Sequence, residues 1–317
     1  MAGGKGKAGA YNPLTIRLAV QLANPRSWVA SVCPALFGIC YCWVRGWPLG
    51  AGRAAALLAA CVLLQSAVNT FNDYFDFMNG TDRAEDHVEE SDSTLIYGGI
   101  DPKSALRLAA VFFAAGVGLG ALCSIGRGWL PLLIGFAGAM AVLLYSAGPV
   151  PFSHLPVGEL VSGVEMGGLI PLGIAACADG RLHPGVLLWS LPFILGISLI
   201  MMTNNGCDIE KDGRAGRRTL PRMLGRPKTV VLYRVQAALW LILLLLLPVL
   251  LLGPAGLTGP VLLALLCRKR FRALLRFRLE PEDRILQIKS IAESNLWGNG
   301  AYVAALAAAL ALGVLHG

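Results

Sequence analysis

The segment AAALLAACVLLQSAVNTFNDYFDFMNGTD, residues 54–82, begins as an unbroken apolar run and ends in a cluster of amides and acids. Its first part, residues 54–76, is long enough to cross a bilayer, which takes roughly 17 to 25 apolar residues. On a helix Asn69, Asp73 and Asp76 fall at i, i+4 and i+7, and Asn72 and Asp76 at i, i+4, so these groups line about one face. Asp82 follows Gly80, where the helix is expected to end, and is placed to fold back toward the same point. Polar side chains at a membrane-helix end are costly, which makes each of them a functional candidate.

The rest of the chain repeats the apolar pattern. The 317 residues are 56% hydrophobic and only 15% charged, with a mean hydropathy of +0.63, which is far from the balance of a soluble domain. Hydropathy and Gly, Pro and charge breaks mark nine candidate transmembrane helices, at residues 27–45, 54–76, 103–124, 129–147, 157–177, 185–207, 229–251, 255–268 and 297–315. The eighth is short for a span and merges into the basic run CRKRFRALLRFR, which is either an interfacial helix or a solvated loop. The fold class is therefore an all-α integral membrane protein: a basic, Gly-rich tail, residues 1–22, then one transmembrane domain, residues 23–317.

Alternating the connections between two sides tests this scheme. Only Arg45, Arg53, Arg127 and Arg181 fall on one side, and the rest of the 27 Lys and Arg on the other. The positive-inside rule then puts the N-terminus and the basic loops in the cytoplasm of a multi-pass protein in the cell membrane. The net charge of +8 follows from those loops and from attraction to anionic headgroups of the lipid bilayer, so nucleic acid is not implied. The eight cysteines lie mostly in apolar segments without ligand spacing and read as buried small hydrophobes.

A second acidic cluster ends the sixth segment: MTNNGCDIEKDGRAGRRTLPRMLG, residues 202–225. Asn204, Asp208 and Asp212 stand at i, i+4, i+8, with Asn205 adjacent, and both clusters end even-numbered segments and so face the same side. Two like charges one turn apart repel unless a cation lies between them, so the Asp73/Asp76 pair points to a bound metal. Hard oxygen donors select magnesium, calcium or manganese, and magnesium keeps sites for water and phosphate oxygens. Two such clusters suit two Mg2+ ions around one diphosphate, with Lys211, Arg214, Arg217 and Arg218 as charge-assisted donors to the leaving group. A solvated helix end accounts for either cluster alone, and a cation-coupled transporter is the rival from another class, although its acids belong near the bilayer midplane.

At these residues the sequence resembles the UbiA superfamily of membrane prenyltransferases. The motifs read Asn72-Asp73-Tyr74-Phe75-Asp76, continuing to Asp82, and Asp208-Ile209-Glu210-Lys211-Asp212, and the wording is most similar to the branch that prenylates 1,4-dihydroxy-2-naphthoate in menaquinone biosynthesis. NPRSWVASVCPALFG, residues 24–38, and YSAGPVPFSHLPVGELVSGVEMG, residues 145–167, are similar to that branch as well.

The resemblance implies nine helices around a central cavity open to lipid. It implies that Asn72, Asp73, Asp76, Asp208 and Asp212 hold magnesium, and that a polyprenyl diphosphate ionises and alkylates an aromatic acceptor. It places Tyr145 near the diphosphate, although from sequence alone Tyr145 also reads as an interfacial belt residue. Asn69, Asp82, Asn204, Asn205, Lys211, Arg217 and Arg218 are the expected substrate-binding groups. His154 and Glu159 are candidates for acceptor recognition, and Glu165, deeper in the fifth segment, for a polar role in the cavity. The connection 80–102, with Gly98 and Gly99, suits a lid. One departure bears on the acceptor, because many sequences of that branch carry Arg where this one has Cys207; Arg214, Arg217 or Arg218 are the expected compensators. Other acceptors of the same reaction class are 4-hydroxybenzoate, homogentisate and a porphyrin.

Overall fold

The computed structural model describes residues 11–80 and 93–314. Asp82 and most of the expected lid lie outside the described residues. The described chain is helical, with the long apolar segments forming helices as their hydropathy requires. Helix α1, Ile16–Ala23, is capped by Thr15, whose hydroxyl accepts from the Leu18 amide, so helix extends into the expected tail. Then come α2 (Val29–Val44), α3 (Ala51–Met78), the short α4 (Thr94–Gly98), α5 (Pro102–Ser124) and α6 (Leu130–Ser146). The next segment is α7 (Gly158–Val164), a π-helical turn at Glu165–Leu169, and α8 (Ile170–Asp179).

The second half holds α9 (Gly185–Trp189), α10 (Leu191–Cys207), α11 (Ile209–Arg214), α12 (Leu220–Leu224) and α13 (Arg226–Leu252). It closes with α14 (Thr258–Leu266), α15 (Arg268–Leu274) and α16 (Arg284–Ala311). Five stretches are long and apolar enough to cross a membrane: Ile16–Val44, Ala51–Met78, Pro102–Ser124, Gly158–Asp179 and Arg226–Leu266, and α6 and α10 are shorter apolar helices. Large apolar side chains such as Val111, Phe136, Leu250 and Leu265 are exposed on the outside, as expected of a protein whose solvent is lipid. The short eighth segment is the nine-residue α14, and the basic run after it forms a helix of its own, α15.

The last helix differs from expectation. It begins at Arg284 rather than near residue 297, because its first half is a polar face buried inside the bundle rather than an apolar face toward lipid. Asn295 donates to the Gly196 carbonyl at 3.0 Å, Asn299 to Asn295, and Trp240 to Asn299, which ties α16 to α10 and α13. Phe37, Phe193 and Tyr302 pack with ring centroids 4.8 to 5.8 Å apart and join α2, α10 and α16 in the main core.

Close packing of the π-turn segment on α10 depends on two glycines. A Cβ on Gly167 would fall 2.4 Å from the Ile194 nitrogen, and one on Gly163 2.6 Å from the Ile194 oxygen. No larger residue allows this approach, and it sets the start of α7 beside the end of α10, where the second acidic motif lies.

Candidate active site

The first motif ends α3. Asp73 and Asp76 are 6% and 7% exposed, and a carboxylate this deep is tolerated only with partners. Asp73 accepts from the backbone amides of Thr94 at 2.9 Å and Leu95 at 3.5 Å, at the N-terminus of α4. The chain returning from the 80–102 connection is therefore anchored directly on a motif acid. Asp76 accepts from Asn72 Nδ2 at 3.0 Å and from Arg217. Asn72 in turn accepts from the Ser146 hydroxyl at 3.0 Å, which fixes its amide and links α3 to the end of α6.

The second motif straddles the junction of α10 and α11. The spacing survives the break at Asp208, because the Asp208 amide still donates to Asn204 O and the Asp212 amide to Asp208 O. Asp212, 1% exposed, accepts from Thr219 Oγ1 at 2.8 Å and lies 3.9 Å from Arg217 Nη1. Burial pushes its carboxyl up to about 6, against the lowering effects of Thr219 and Arg217. Asp208 accepts from Arg284 Nε at 2.8 Å, and the same guanidinium donates to Asn204 Oδ1 at 2.7 Å. Asn205 donates to Glu159 Oε1 at 2.9 Å, bringing the start of α7 into the site.

Arg217 joins the two motifs, since its guanidinium pairs with Asp76 and faces Asp212. Tyr145, near the end of α6, directs its hydroxyl toward Met201 Sδ at 3.8 Å. His154 holds the loop after α11 through its carbonyl, which accepts from the Arg218 amide at 2.8 Å. Its imidazole is kept below the ordinary histidine value by burial and then by Arg217. Lys211 is buried and Arg218 is exposed, lining a cleft with Arg222 and Leu155.

Two expectations change. Asn69 does not reach the acids: it donates to Ala23 O at 2.8 Å and Ser27 Oγ at 2.7 Å, binding α3 to the α1–α2 connection. The cation beside the second motif's first acid, expected from Arg214, Arg217 or Arg218 in place of an arginine at Cys207, comes from Arg284. Cys207 is itself 1% exposed, in the main core. Arg284 was not a candidate in the sequence, where it is one of many cations in a basic loop. Leu279, in the turn before it, has a φ of 59°, packs beside Gly206 and donates its amide to Gln287 Oε1 on α16.

Among the described residues no three His, Cys, Asp or Glu side chains cluster closely enough to ligate one ion together. The donor set nevertheless fits a hard divalent cation. Four buried carboxylates and their neighbouring amides are oxygen donors, magnesium requires few of them at once, and the position between Asp76 and Asp212 already holds a positive charge, that of Arg217.

The site thus lies in a helical multi-pass membrane protein whose two acidic motifs converge on Arg217, with Arg284 beside the second. The chain belongs to the UbiA prenyltransferase family, whose model matches residues 31–299, and it is accordingly a prenyltransferase. It is 32% identical over 220 residues to a 1,4-dihydroxy-2-naphthoate octaprenyltransferase of Bacillus subtilis, covering 69% of each chain. It is 28% identical over 235 residues to UbiA prenyltransferase domain-containing protein 1 of Gallus gallus, covering 73% of this chain and 68% of that one. The fold is shared with a UbiA homolog from Archaeoglobus fulgidus solved with GPP and Mg2+, at a TM-score of 0.63 and 17% identity, over 90% of this chain and 99% of that chain. The family match sets the transporter alternative aside.

Proposed function

We propose that the chain carries out Mg2+-dependent transfer of a polyprenyl group from a prenyl diphosphate to an aromatic acceptor, 1,4-dihydroxy-2-naphthoate. One observation carries this reading: Arg217 draws Asp76 and Asp212, from motifs far apart in sequence, around a single point. The naphthoate octaprenyltransferase of Bacillus subtilis, at 32% identity, supports the choice of acceptor. The positive-inside rule supports a cytoplasmic N-terminus and a site at the cytoplasmic face.

In this reading Asp73, Asp76, Asp208 and Asp212, with Asn72, hold the metal, in two ions as the pairing of the motifs suggests. When bound, magnesium supplies Lewis-acid neutralisation of diphosphate charge. The protein's own part begins with Arg217, Arg218 and Lys211, which donate charge-assisted hydrogen bonds to the diphosphate oxygens. Arg217 exchanges its carboxylate partners for the substrate, while Asn204 and Asn205 keep the acids in register. Tyr145 faces the departing oxygen. The allylic C–O bond breaks with its electron pair leaving on the diphosphate, and the apolar cavity keeps water from the allylic cation. An electron-rich ring carbon of the acceptor then bonds to that cation, and the ring regains aromaticity by losing the group at that carbon without its bonding pair, a carboxylate as CO2 or a hydrogen as a proton. His154 and Glu159 are assigned to the acceptor side.

The test is transfer of labelled prenyl diphosphate in nanodiscs, with and without magnesium, to 1,4-dihydroxy-2-naphthoate and, separately, to 4-hydroxybenzoate. Magnesium-dependent product with the naphthoate alone is the expected result. Product with 4-hydroxybenzoate alone keeps the reaction class and replaces the acceptor.

A further inference from the structure

A cavity of about 350 Å³ lies between α2, α3, α5, α6 and the α7–α8 segment. Its lining is overwhelmingly apolar. The polar exceptions are Ser31, Ser124, Gln65 and Glu165. Both serines are satisfied locally, Ser31 on the Trp28 carbonyl and Ser124 on the Gly120 carbonyl. Gln65 and Glu165 remain.

Gln65 is 6% exposed. Its amide nitrogen donates to Asn69 Oδ1 at 3.2 Å, while its Oε1 is buried with no hydrogen-bond partner among the described residues. A buried acceptor left in that state costs as much as a lost hydrogen bond. Glu165 opens the π-helical turn Glu165–Leu169, a rare distortion that recurs at functional sites. A Cβ built on Gly138 of α6 would lie 3.9 Å from Glu165 Oε1, and the carboxyl has no hydrogen bond or ion pair among the described residues.

Their placement relative to the acidic site is regular. Gln65 precedes Asn72 by seven residues on α3, Gly138 precedes Tyr145 by seven on α6, and Glu165 follows Glu159, the partner of Asn205, by six. The layer therefore lies just under two helical turns, about 10 Å, below the groups of the acidic site. A bicyclic aromatic ring attacking the allylic carbon would occupy that depth. An isoprenoid tail offers these groups nothing, because it has no hydrogen-bonding atom, whereas a hydroxylated ring supplies the missing donors.

Building on the aromatic prenyltransferase reading above, we propose that Gln65 and Glu165 form the acceptor subsite, holding the hydroxyl groups of the aromatic ring while the tail leaves along the apolar wall. Neither residue touches the diphosphate in this arrangement, so both are specificity determinants rather than catalytic residues.

The experiment measures KM for 1,4-dihydroxy-2-naphthoate and for geranyl diphosphate in wild type, Gln65→Leu, Glu165→Leu and Glu165→Gln, on the monodisperse fraction of each. Glu165→Gln keeps the shape of the side chain, so it is read even where the leucine variants do not fold. The expected result is a rise of tenfold or more in acceptor KM for the leucine variants and a smaller rise for Glu165→Gln, with the KM for geranyl diphosphate within twofold of wild type. Direct calorimetric binding of the naphthoate to Glu165→Gln should weaken in step. An unchanged acceptor KM, or a loss confined to the prenyl diphosphate, overturns the subsite. Wild-type enzyme that transfers to no hydroxylated aromatic overturns instead the reading on which the subsite rests.

Discussion

The guanidinium of Arg217 lies between Asp76 of the first acidic motif and Asp212 of the second, with Nη1 3.9 Å from the Asp212 carboxylate. All three side chains are nine-tenths buried or close to it, so each charge depends on the others. Arg217→Ala leaves two buried carboxylates without that cation, and breaking such a pair costs roughly 3 to 5 kcal/mol. Thermal unfolding in detergent should show the loss without magnesium, and added magnesium and pyrophosphate should recover part of it.

Arg284 is predicted to be as important as any motif residue. Its bonds to Asp208 and Asn204 hold the second motif's first acid in place. Arg284→Leu should lower kcat/KM by about 100-fold, the scale of removing one charge-stabilising donor, and Arg284→Lys by less, because lysine cannot serve two acceptors as a planar fork. Steady-state kinetics with saturating magnesium measures both.

Asp212 sets a pH dependence. With its carboxyl pushed up to about 6 by burial, it is about nine-tenths ionised at pH 7 and must lose its proton to bind a cation. Magnesium affinity should be nearly flat above pH 7 and fall by about tenfold per pH unit well below 6. The sign for stability is opposite: a raised carboxyl favours the protonated fold, so its contribution is present below the unfolded value near 3.8 and is lost as pH rises through about 6. Calorimetric magnesium titrations from pH 5 to 7.5 check the first statement, and in Asp212→Asn the step should vanish.

Gly167→Ala is expected to part α7 from α10, since the new Cβ would meet the Ile194 backbone at 2.4 Å. Overpacking of this kind costs about 1 to 3 kcal/mol. The Glu159–Asn205 hydrogen bond should break with it, so denaturation midpoint and activity should fall together, whereas Gly118→Ala, whose Cβ meets nothing within 4 Å, should leave both unchanged.

Much of this site was legible because its residues obey helical periodicity. Asn72 and Asp76 hydrogen-bond across one turn as their spacing requires, and the Asn204, Asp208, Asp212 register persists through a helix break. Asn69 shares that spacing yet serves the α1–α2 connection, because periodicity assigns a face and not a partner. Arg284 was hidden for two reasons. It lies 76 residues from Asp208, and the start of α16 reads as a loop because its buried Gln287, Ser294 and Asn295 give a polar sequence to an interior helix. The π-turn at Glu165 leaves no comparable mark, since the glycines at 163 and 167 that let this segment approach the Ile194 backbone fit an ordinary α-helix as well.

The most direct test of the central claim, that both motifs form one catalytic site, is a double-mutant cycle of Asp73→Asn and Asp208→Asn in magnesium-dependent prenyl transfer. Each single substitution should reduce kcat/KM by roughly 1,000-fold, and the double variant should be little worse than either, as for residues that act as a unit. Losses that multiply in the double variant, or a single variant that retains wild-type transfer, would contradict it.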